Sequence, residues 1–224
     1  MSPRETTFNR ENVMEAGITI VREKGWANLT ARAIADKLKA SVAPVYSTFG
    51  SMDSLQREIL QEARRLLHEK TIVAYTEDSF LNIGVGMVVF ARDEGYLFQA
   101  LFHTRHHYSD IIEGIFSSIL ERMKGDPMLR LLSDTSLERL LDNLGTYTLG
   151  LASSIIYGRI EDASTEAIIR RLKDAGNMMI LGEVMGTADC ESRENNRVWE
   201  RLFAENQFPP PPPEGDGGGN KPKS

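Results

Sequence analysis

Hydrophobic residues recur at spacings of three and four along most of the chain, up to about residue 205. This period is that of one face of an α-helix, and no clear alternation of apolar and polar residues bounded by hairpin turns indicates a strand. We therefore expect an all-α protein. The last residues, 206–224, are rich in proline and glycine and cannot pack a core, so we expect a disordered tail there.

Three short helices are predicted within the first 50 residues. The first follows Asn9 as its N-cap and ends at Gly25, the second opens at Thr30, and the third runs from Ser41 to about Gly50. Apolar positions at helical spacing give these helices a buried side formed by Val13, Ala16, Gly17, Ile20, Val21, Ile34, Ala35, Leu38, Val45 and Phe49. Only about three residues join the second helix to the third, which is the spacing of a helix-turn-helix.

Longer helices are predicted after residue 50. One runs from Ser51 through Lys70, and two or three more reach a break at residues 125–127. The T-x-x-E pattern at Thr135 predicts a capping box that opens a helix ending near Tyr157, and a last long helix follows the polar turn at residues 158–164. A short helix is expected around residues 198–203. We expect two units, a head (residues 1–50) and a helical body (residues 51–205) with a second core.

The charge is unevenly distributed along the chain. The net charge is -6, but residues 1–70 carry +2 and residues 71–224 carry -8. Hydrophobic residues make up 41% and charged residues 26%, as in ordinary globular proteins. A mildly basic head on an acidic body is compatible with nucleic-acid binding through a small surface.

The single cysteine, Cys190, cannot form an internal disulfide, and no lysine-led apolar leader opens the chain. These two features predict a cytoplasmic location. The longest apolar stretch, residues 80–91, ends at charged residues and is shorter than the roughly 20 residues that a membrane-spanning helix needs. We therefore expect no membrane partner.

The third helix of a helix-turn-helix projects outward, and its exposed side must let the backbone approach DNA closely. Here that helix offers small or polar side chains at Ser41, Val42, Ala43, Pro44, Ser47 and Thr48. The hydroxyls of Thr30, Ser41 and Tyr46 are suited to donate to phosphates, which fix the register of a protein on the duplex. The pattern favours binding to double-stranded DNA.

The run EKGWANLTARAIADKLKASVAPVYSTFGSMDSL, within Glu11 to Leu55, resembles the DNA-binding domain of TetR-family transcriptional regulators. The matching points are Gly25-Trp26, Thr30, Ile34-Ala35, Ser41, Val45-Tyr46 and Phe49. The resemblance implies that Thr30, Ser41 and Tyr46 contact phosphates and that residues 42–44 approach base edges.

Two positions depart from the family pattern. Lys39 stands where the family usually has a glycine, and it must adopt a left-handed conformation, at a cost of about 1 kcal/mol, or force a different turn. Gly50-Ser51 replaces a frequent lysine, a loss for which Arg32, Lys37 and Lys39 could compensate. The predicted DNA-binding residues are Thr30, Arg32, Lys39, Ser41, Val42, Ala43, Pro44, Tyr46 and Ser47.

Beyond residue 70 the resemblance is architectural, and it implies a body that encloses an effector pocket. The aromatic and methionine content of this part suggests a cavity, although each residue alone is equally compatible with ordinary core. The residues predicted to form the pocket are Phe80, Met87, Phe90, Phe98, Phe102, His103 and Tyr108.

The sequence has a broad apolar stripe from Leu137 to Ile155, interleaved with small residues, and a second apolar stripe on the last helix. Both stripes are compatible with an intrachain core or with a symmetric four-helix interface. We favour the interface, because a palindromic site read by two heads needs a two-fold partner. The residues predicted to form it are Leu140, Leu144, Leu151, Ile155, Ile168, Leu172 and Met179.

The cluster of His103, His106 and His107 is the most unusual chemistry in the chain. On a helix His103 and His107 would share a face, as metal ligands do, but no Cys, Asp or Glu lies one turn away to complete a site. Pocket-edge residues or a solvated helix end are the alternatives, and we predict neither a metal nor another cofactor. The chain also lacks a glycine-rich phosphate loop and a nucleophile elbow, which argues against an enzyme.

These features together predict a ligand-responsive transcriptional regulator of the TetR family. The resemblance implies a repressor, because repression is the usual activity in that family. It would bind a palindromic operator as a homodimer and leave it when an unknown small-molecule effector enters the body. The alternative is a helical adaptor that binds a protein or small molecule without binding DNA, which the residues at positions 39 and 50–51 favour.

Overall fold

The computed structural model describes residues 8–105 and 107–186. The described residues form nine α-helices and no strand, which confirms the predicted fold class. The helices are α1 (Arg10–Lys24), α2 (Ala31–Leu38), α3 (Ala43–Phe49), α4 (Met52–Thr71), α5 (Ser79–Asp93), α6 (Gly95–Phe102), α7 (Ser109–Gly125), α8 (Asp134–Ile156) and α9 (Thr165–Gly186). Two short 3-10 turns, Trp26–Asn28 and Leu129–Leu131, precede α2 and α8. The helix predicted at residues 198–203, the tail and Cys190 lie outside the described residues.

Side-chain caps set the starts of α1 and α2 where the sequence predicts them. The Asn9 side chain accepts a hydrogen bond from the Asn12 amide at 2.9 Å, and Asn12 reciprocates, so that a capping box opens α1. The Thr30 hydroxyl accepts from the Ala33 amide at 3.1 Å and opens α2. These contacts satisfy amide groups that would otherwise lack partners in the first turn of each helix.

Two predicted helix starts are wrong by two residues. Helix α8 begins at Asp134, because the Ser133 hydroxyl accepts from the Ser136 amide at 3.2 Å and so caps the helix before Thr135 can. Helix α3 begins at Ala43 rather than at Ser41, and Pro44 lies in its first turn. Proline is tolerated there because the first amides of a helix have no intrahelical acceptor.

Helix α5 is the centre of the molecule and packs against α4, α6, α7, α8 and α9. Residues 85–91 are all buried, as expected of a helix that is apolar all round. Helix α1 also contacts α4 and α6, so the buried side chains of the head and the body form one continuous core rather than the two separate cores predicted. The head is therefore supported directly by the body.

Glycine allows the closest helix contact in this core. A Cβ on Gly86 would lie 2.3 Å from the Lys70 carbonyl oxygen and 2.6 Å from the Thr71 Cα. Both are backbone atoms of the last turn of α4, so α4 and α5 can approach this closely only because position 86 has no side chain.

Within residues 8–105 and 107–186, none of the helices has the length and apolar character that crossing a membrane requires.

Candidate nucleic-acid interface and ligand cavity

Helix α3 has a buried side and an exposed side. Val45 and Phe49 are buried and face the core that α3 shares with α1, α2 and α4. On the other side Val42 is 42% exposed and Tyr46 49% exposed. The remaining predicted DNA-binding residues are exposed or half-buried: Thr30, Arg32, Lys39, Ser41, Ala43, Pro44 and Ser47. The structure thus leaves all nine predicted residues accessible on the head.

The hydroxyls of Thr30 and Ser41 keep their protons available. Thr30 uses its oxygen as an acceptor for the Ala33 amide, and Ser41 accepts from the Ala43 amide at 3.3 Å. A hydroxyl that accepts in this way can still donate its own proton. Both side chains are therefore held in place by the chain while remaining free to donate outward.

Lys39 ends α2 in the left-handed conformation, with φ 53° and ψ 43°. Among the described residues it is the only one other than glycine with positive φ. The Ala40 amide donates to the Ala35 carbonyl at 3.0 Å, which closes the turn in the way that a glycine usually does. The first of the two alternatives predicted for this residue is confirmed.

Arg10 ties the third helix to the body. Its guanidinium donates to the Thr48 carbonyl at 2.6 Å, pairs with Glu58 of α4 and lies 4.2 Å from the centre of the Phe49 ring. One side chain of α1 therefore holds the end of α3 against α4.

Arg22 makes the corresponding contact with α6. It pairs bidentately with Glu94, with nitrogen to oxygen distances of 2.9 and 2.7 Å. The two arginines of α1 thus fix the orientation of the head on the body.

A polar cluster joins the first turn of α4 to the loop before α7. The Tyr108 hydroxyl donates to the Asp53 carboxylate at 2.7 Å, and His107 Nε2 lies 2.6 Å from the same carboxylate. Arg57 lies one turn after Asp53 on α4 and pairs with Asp110, which belongs to the first turn of α7. The hydrogen bond from Tyr108 lowers the pKa of Asp53, and burial is the main cause of the raised pKa of Tyr108.

The two described histidines of the predicted cluster do not share a helix face. Helix α6 ends at Phe102, so His103 and His107 lie in the loop that follows. His103 Nε2 is 3.1 Å from the Ser153 hydroxyl, whereas His107 faces Asp53. No group of three His, Cys, Asp or Glu within the described part of the chain is arranged to hold a metal ion.

A cavity of about 510 Å³ lies between α5, α7, α8 and α9, beside the loop before α5. We call it the main cavity. Most of its lining is apolar, with polar groups at the loop, on α8 and on α9: Thr76, Glu77, Asp78, Phe80, Leu81, Ile83, Gly84, Met87, Phe116, Ile119, Leu141, Leu144, Gly145, Thr148, Ile169, Leu172, Lys173, Gly176, Asn177 and Ile180. Its size suits one small organic molecule.

Of the seven residues predicted to line a pocket, Phe80 and Met87 line the main cavity. Phe90 and Phe98 are fully buried in the core, and Phe98 packs on Phe102 with ring centres 4.8 Å apart. Tyr108 lies in the cluster with Asp53, and His103 is exposed near α8. These five residues lie outside the cavity lining because α6 packs inward against α1, α4 and α5 rather than around an open space.

Four of the residues predicted to form a dimer interface are buried within one chain: Leu140, Leu151, Ile168 and Leu172. They pack in the core where α8 and α9 meet α5, which is the intrachain packing that the sequence left open as an alternative. These four side chains therefore offer no surface to a partner. Leu144 and Leu172 also line the main cavity. Ile155 and Met179 are half-buried.

Sequence reasoning missed the contribution of α8 and α9 to the cavity. A signal existed in the glycines within the helices, because Gly84, Gly145 and Gly176 all line this space. A Cβ on Gly145 would lie 3.3 Å from the Phe116 ring. Glycine is costly inside a helix, so its repeated use indicates a special packing requirement.

The fold and the exposed head together define a class of protein, a helix-turn-helix module on an all-helical body. The chain is similar to a TetR-like transcriptional regulator from Rhodococcus sp. RHA1, with a TM-score of 0.59 and 17% sequence identity over 81% of this chain and 100% of that one. It is also similar to a variant of TetR from Acinetobacter baumannii AYE in complex with minocycline, with a TM-score of 0.53 and 15% identity over 78% of this chain and 96% of that one. No protein-family model and no curated protein matches the sequence. At these identities the similarity shows the fold, and the predicted TetR-like fold is confirmed.

Proposed function

We propose that this chain is a TetR-family transcriptional regulator that represses its target by binding a palindromic operator as a homodimer. The observation that carries the proposal is the accessibility of the nine predicted DNA-binding residues on the head. The opposite side of the third helix packs in the core, and Arg10 holds its end against α4. An exposed face of small and hydroxylic side chains can approach the major groove closely. The TetR-like fold supports the same function.

The predicted contacts divide by chemistry. Thr30, Ser41 and Tyr46 donate hydroxyl protons to phosphates, and Arg32 and Lys39 add positive charge at the edge of the face. Residues 42–44 approach base edges. Lys37 is engaged elsewhere, because its ammonium lies 3.3 Å from the Glu23 carboxylate.

Two heads must come from two chains, and we propose a surface for that pairing different from the one that the sequence predicted. Exposed residues of α9 form a strip at spacings of three and four: Arg171, Asp174, Met178 and Gly182. Asn143, Thr146 and Gly150 form a parallel exposed strip on α8, which packs against α9. We call these the α8 strip and the α9 strip. Small residues let helices of a partner approach closely, and Met178, 65% exposed, offers an apolar anchor.

We propose that the effector binds in the body and changes the separation of the two heads. The DNA-binding helices of two rigid heads must lie roughly 34 Å apart, which is one turn of DNA, or at a multiple of that distance. A ligand that favours another separation must lower operator affinity. The main cavity is the proposed binding site.

Replacing Tyr46 with phenylalanine tests the assignment of the head. Tyr46→Phe should weaken operator binding about tenfold, because one hydrogen bond to a charged phosphate is lost, and should leave the unfolding curve unchanged. Fluorescence anisotropy with labelled DNA from the region flanking the gene measures the affinity.

Tyr96→Phe is the matched control, since Tyr96 is 46% exposed but lies on α6, away from this face. It should bind the operator like the unsubstituted protein. Equal affinities for all three proteins would contradict the role assigned to Tyr46.

A further inference from the structure

A second cavity, of about 460 Å³, lies between α4 and α7. We call it the basic cavity, because Arg64, Arg65, His68 and Arg122 all line it. Within the described part of the chain, no aspartate or glutamate lines it. This concentration of basic residues contrasts with the acidic balance of the body as a whole.

Two of these arginines have no carboxylate partner within ion-pair distance among the described residues. Arg65 is paired with Glu62 and Glu69. Arg64 instead donates to the Gly114 carbonyl at 3.3 Å, and Arg122 donates to the Thr71 carbonyl at 3.1 Å. Two positive charges therefore face the cavity without a negative charge to balance them.

Arg122 is partly desolvated. Burial lowers the pKa of its guanidinium, which means that the surroundings disfavour the charge. Its contacts with Thr71 close the end of α4, but a guanidinium has five donors and this role uses only some of them. The others remain available to an acceptor in the cavity.

Arg64 can lie at the cavity because the residue opposite it on α7, at position 114, is a glycine. A Cβ on Gly114 would lie 2.9 Å from a terminal nitrogen of Arg64. The guanidinium thus rests directly on the backbone of α7 while Arg122 approaches from the same helix two turns later. The two arginines bracket the space between α4 and α7.

The remaining lining of the basic cavity combines polar groups at Gln61, Thr71 and Ser118 with apolar side chains, two of which also line the main cavity. Leu67 and Ile115 contribute aliphatic surface, and Met87 and Ile119 line both cavities. The two cavities therefore adjoin at this pair of side chains. Methionine adapts its shape readily, so Met87 can repack around an apolar group.

We propose that the basic cavity binds an amphipathic anion, a carboxylate or a phosphate monoester on an aliphatic group, through Arg64 and Arg122. The anionic head accepts hydrogen bonds from the two guanidinium groups, which is the geometry that arginine provides for such groups. The aliphatic part packs on Met87 and Ile119. The ligand bridges α4, the helix that leads directly from the head, to α7.

This inference goes beyond the proposed function, since the ligand occupies the basic cavity rather than the main cavity, and it rests on that function only for its regulatory meaning. Isothermal titration of the full chain without DNA tests it separately from operator binding. The probes are octanoate and octyl phosphate, which distinguish a carboxylate from a phosphate head, and octyltrimethylammonium, a cation of the same apolar length.

At least one of the anionic probes should bind, and the cation should not. Arg122→Gln and Arg64→Gln should each weaken that binding about tenfold, as expected for loss of a charge-assisted hydrogen bond. Arg130→Gln, at an exposed arginine outside both cavities, is the matched control and should bind as the unsubstituted protein does.

Because Arg122 also closes the end of α4, thermal unfolding is measured for every variant, and Arg64→Gln provides a test that leaves that contact intact. Absence of binding by both anionic probes would overturn the proposal. So would equal binding of the cation, or unchanged affinity in the Arg64 and Arg122 variants.

Discussion

At the scale of single residues, the turn between α2 and α3 depends on a lysine in a conformation that suits glycine. The left-handed region costs about 1 to 2 kcal/mol for a residue with a Cβ. Lys39 nevertheless occupies it, and the amide contacts that close the turn are formed. The strain is compatible with a useful position for the side chain, because Lys39 is exposed beside the proposed DNA-binding face.

Lys39→Gly should therefore raise the free energy of unfolding by up to about 1 kcal/mol. The substitution removes the left-handed strain, and the greater flexibility of glycine in the unfolded chain offsets part of the gain. Urea denaturation measures the change. The same variant should bind operator more weakly at low salt, because one positive charge is lost. A destabilised Lys39→Gly protein would contradict the strain argument.

The contact between Tyr108 and Asp53 makes a prediction about pH. The hydrogen bond from Tyr108 lowers the pKa of Asp53 below its ordinary value of 3.8. Asp53 therefore contributes stability that is present above pH 3.8 and is lost as the pH falls through the lowered pKa. Tyr108→Phe should raise the pKa of Asp53 toward the ordinary value, which a carboxyl titration followed by NMR measures.

Asp162 provides the internal control for that titration. Its pKa is lowered by a hydrogen bond with Ser164, so it should titrate identically in both proteins. An unchanged Asp53 titration in Tyr108→Phe would show that the tyrosine does not set this pKa.

Residue-level prediction from sequence was accurate at three positions where the chemistry is local, although the local signals at Ser41 and Thr135 misplaced two helix starts. The caps at Asn9 and Thr30 and the strain at Lys39 depend on neighbours within a few residues, which the sequence displays. The roles of His103, His107 and Tyr108 were not predictable in the same way. Their partners, Ser153 and Asp53, are about fifty residues away in the chain.

At the scale of helices, the contact between α4 and α5 at Gly86 leaves less room for a side chain than any other glycine position in the described part of the chain. Gly86→Ala should destabilise the protein by about 1 to 3 kcal/mol, because the new Cβ meets backbone atoms that cannot move aside independently. Chemical denaturation measures the loss.

Gly84→Ala, two residues earlier on α5, is the control for that substitution. Its Cβ would lie 3.5 Å from a Leu172 methyl group, which is ordinary contact, so the stability should be maintained or slightly raised. Equal destabilisation by both substitutions would contradict the close approach as the cause, because alanine has a higher helix propensity than glycine at either position.

The periodicity of apolar residues predicted the order of the helices and left two or three of them between residues 70 and 125, but it could not say what each apolar stripe contacts. The stripe on α8 fits an intrachain core as well as it fits an interface, because both remove apolar surface from water. Leu140 and Leu151 pack within the chain. The resemblance covered the head and gave no residue-level guide to α8 and α9, so their part in lining the main cavity was not predicted.

At the scale of the whole molecule, the ion pairs of α1 join the head to the body, and the proposed regulation uses these contacts. Arg10 reaches α4 and Arg22 reaches Glu94 at the start of α6. A shift of α4 would therefore be transmitted to the head. The proposed function requires in addition that two such molecules pair.

Met178→Arg tests the proposed dimer surface. A charge at the centre of the α9 strip should prevent the strips of two chains from packing, because an unpaired charge is costly in an interface. Light scattering should then give the mass of one chain instead of two, and operator affinity should fall.

Ile72→Arg is the control for the dimer surface, since Ile72 is apolar and 60% exposed but lies at the end of α4. It should remain a dimer. A dimeric Met178→Arg protein would place the interface elsewhere.

The most direct test of the central claim is an anisotropy titration of the unsubstituted protein with DNA from the region flanking its gene, at two salt concentrations. The account predicts binding that is stronger than to unrelated DNA of equal length and that weakens steeply as the salt concentration rises. Equal affinity for both DNA molecules, or no salt-sensitive binding at all, would contradict it and favour a helical adaptor that does not bind DNA.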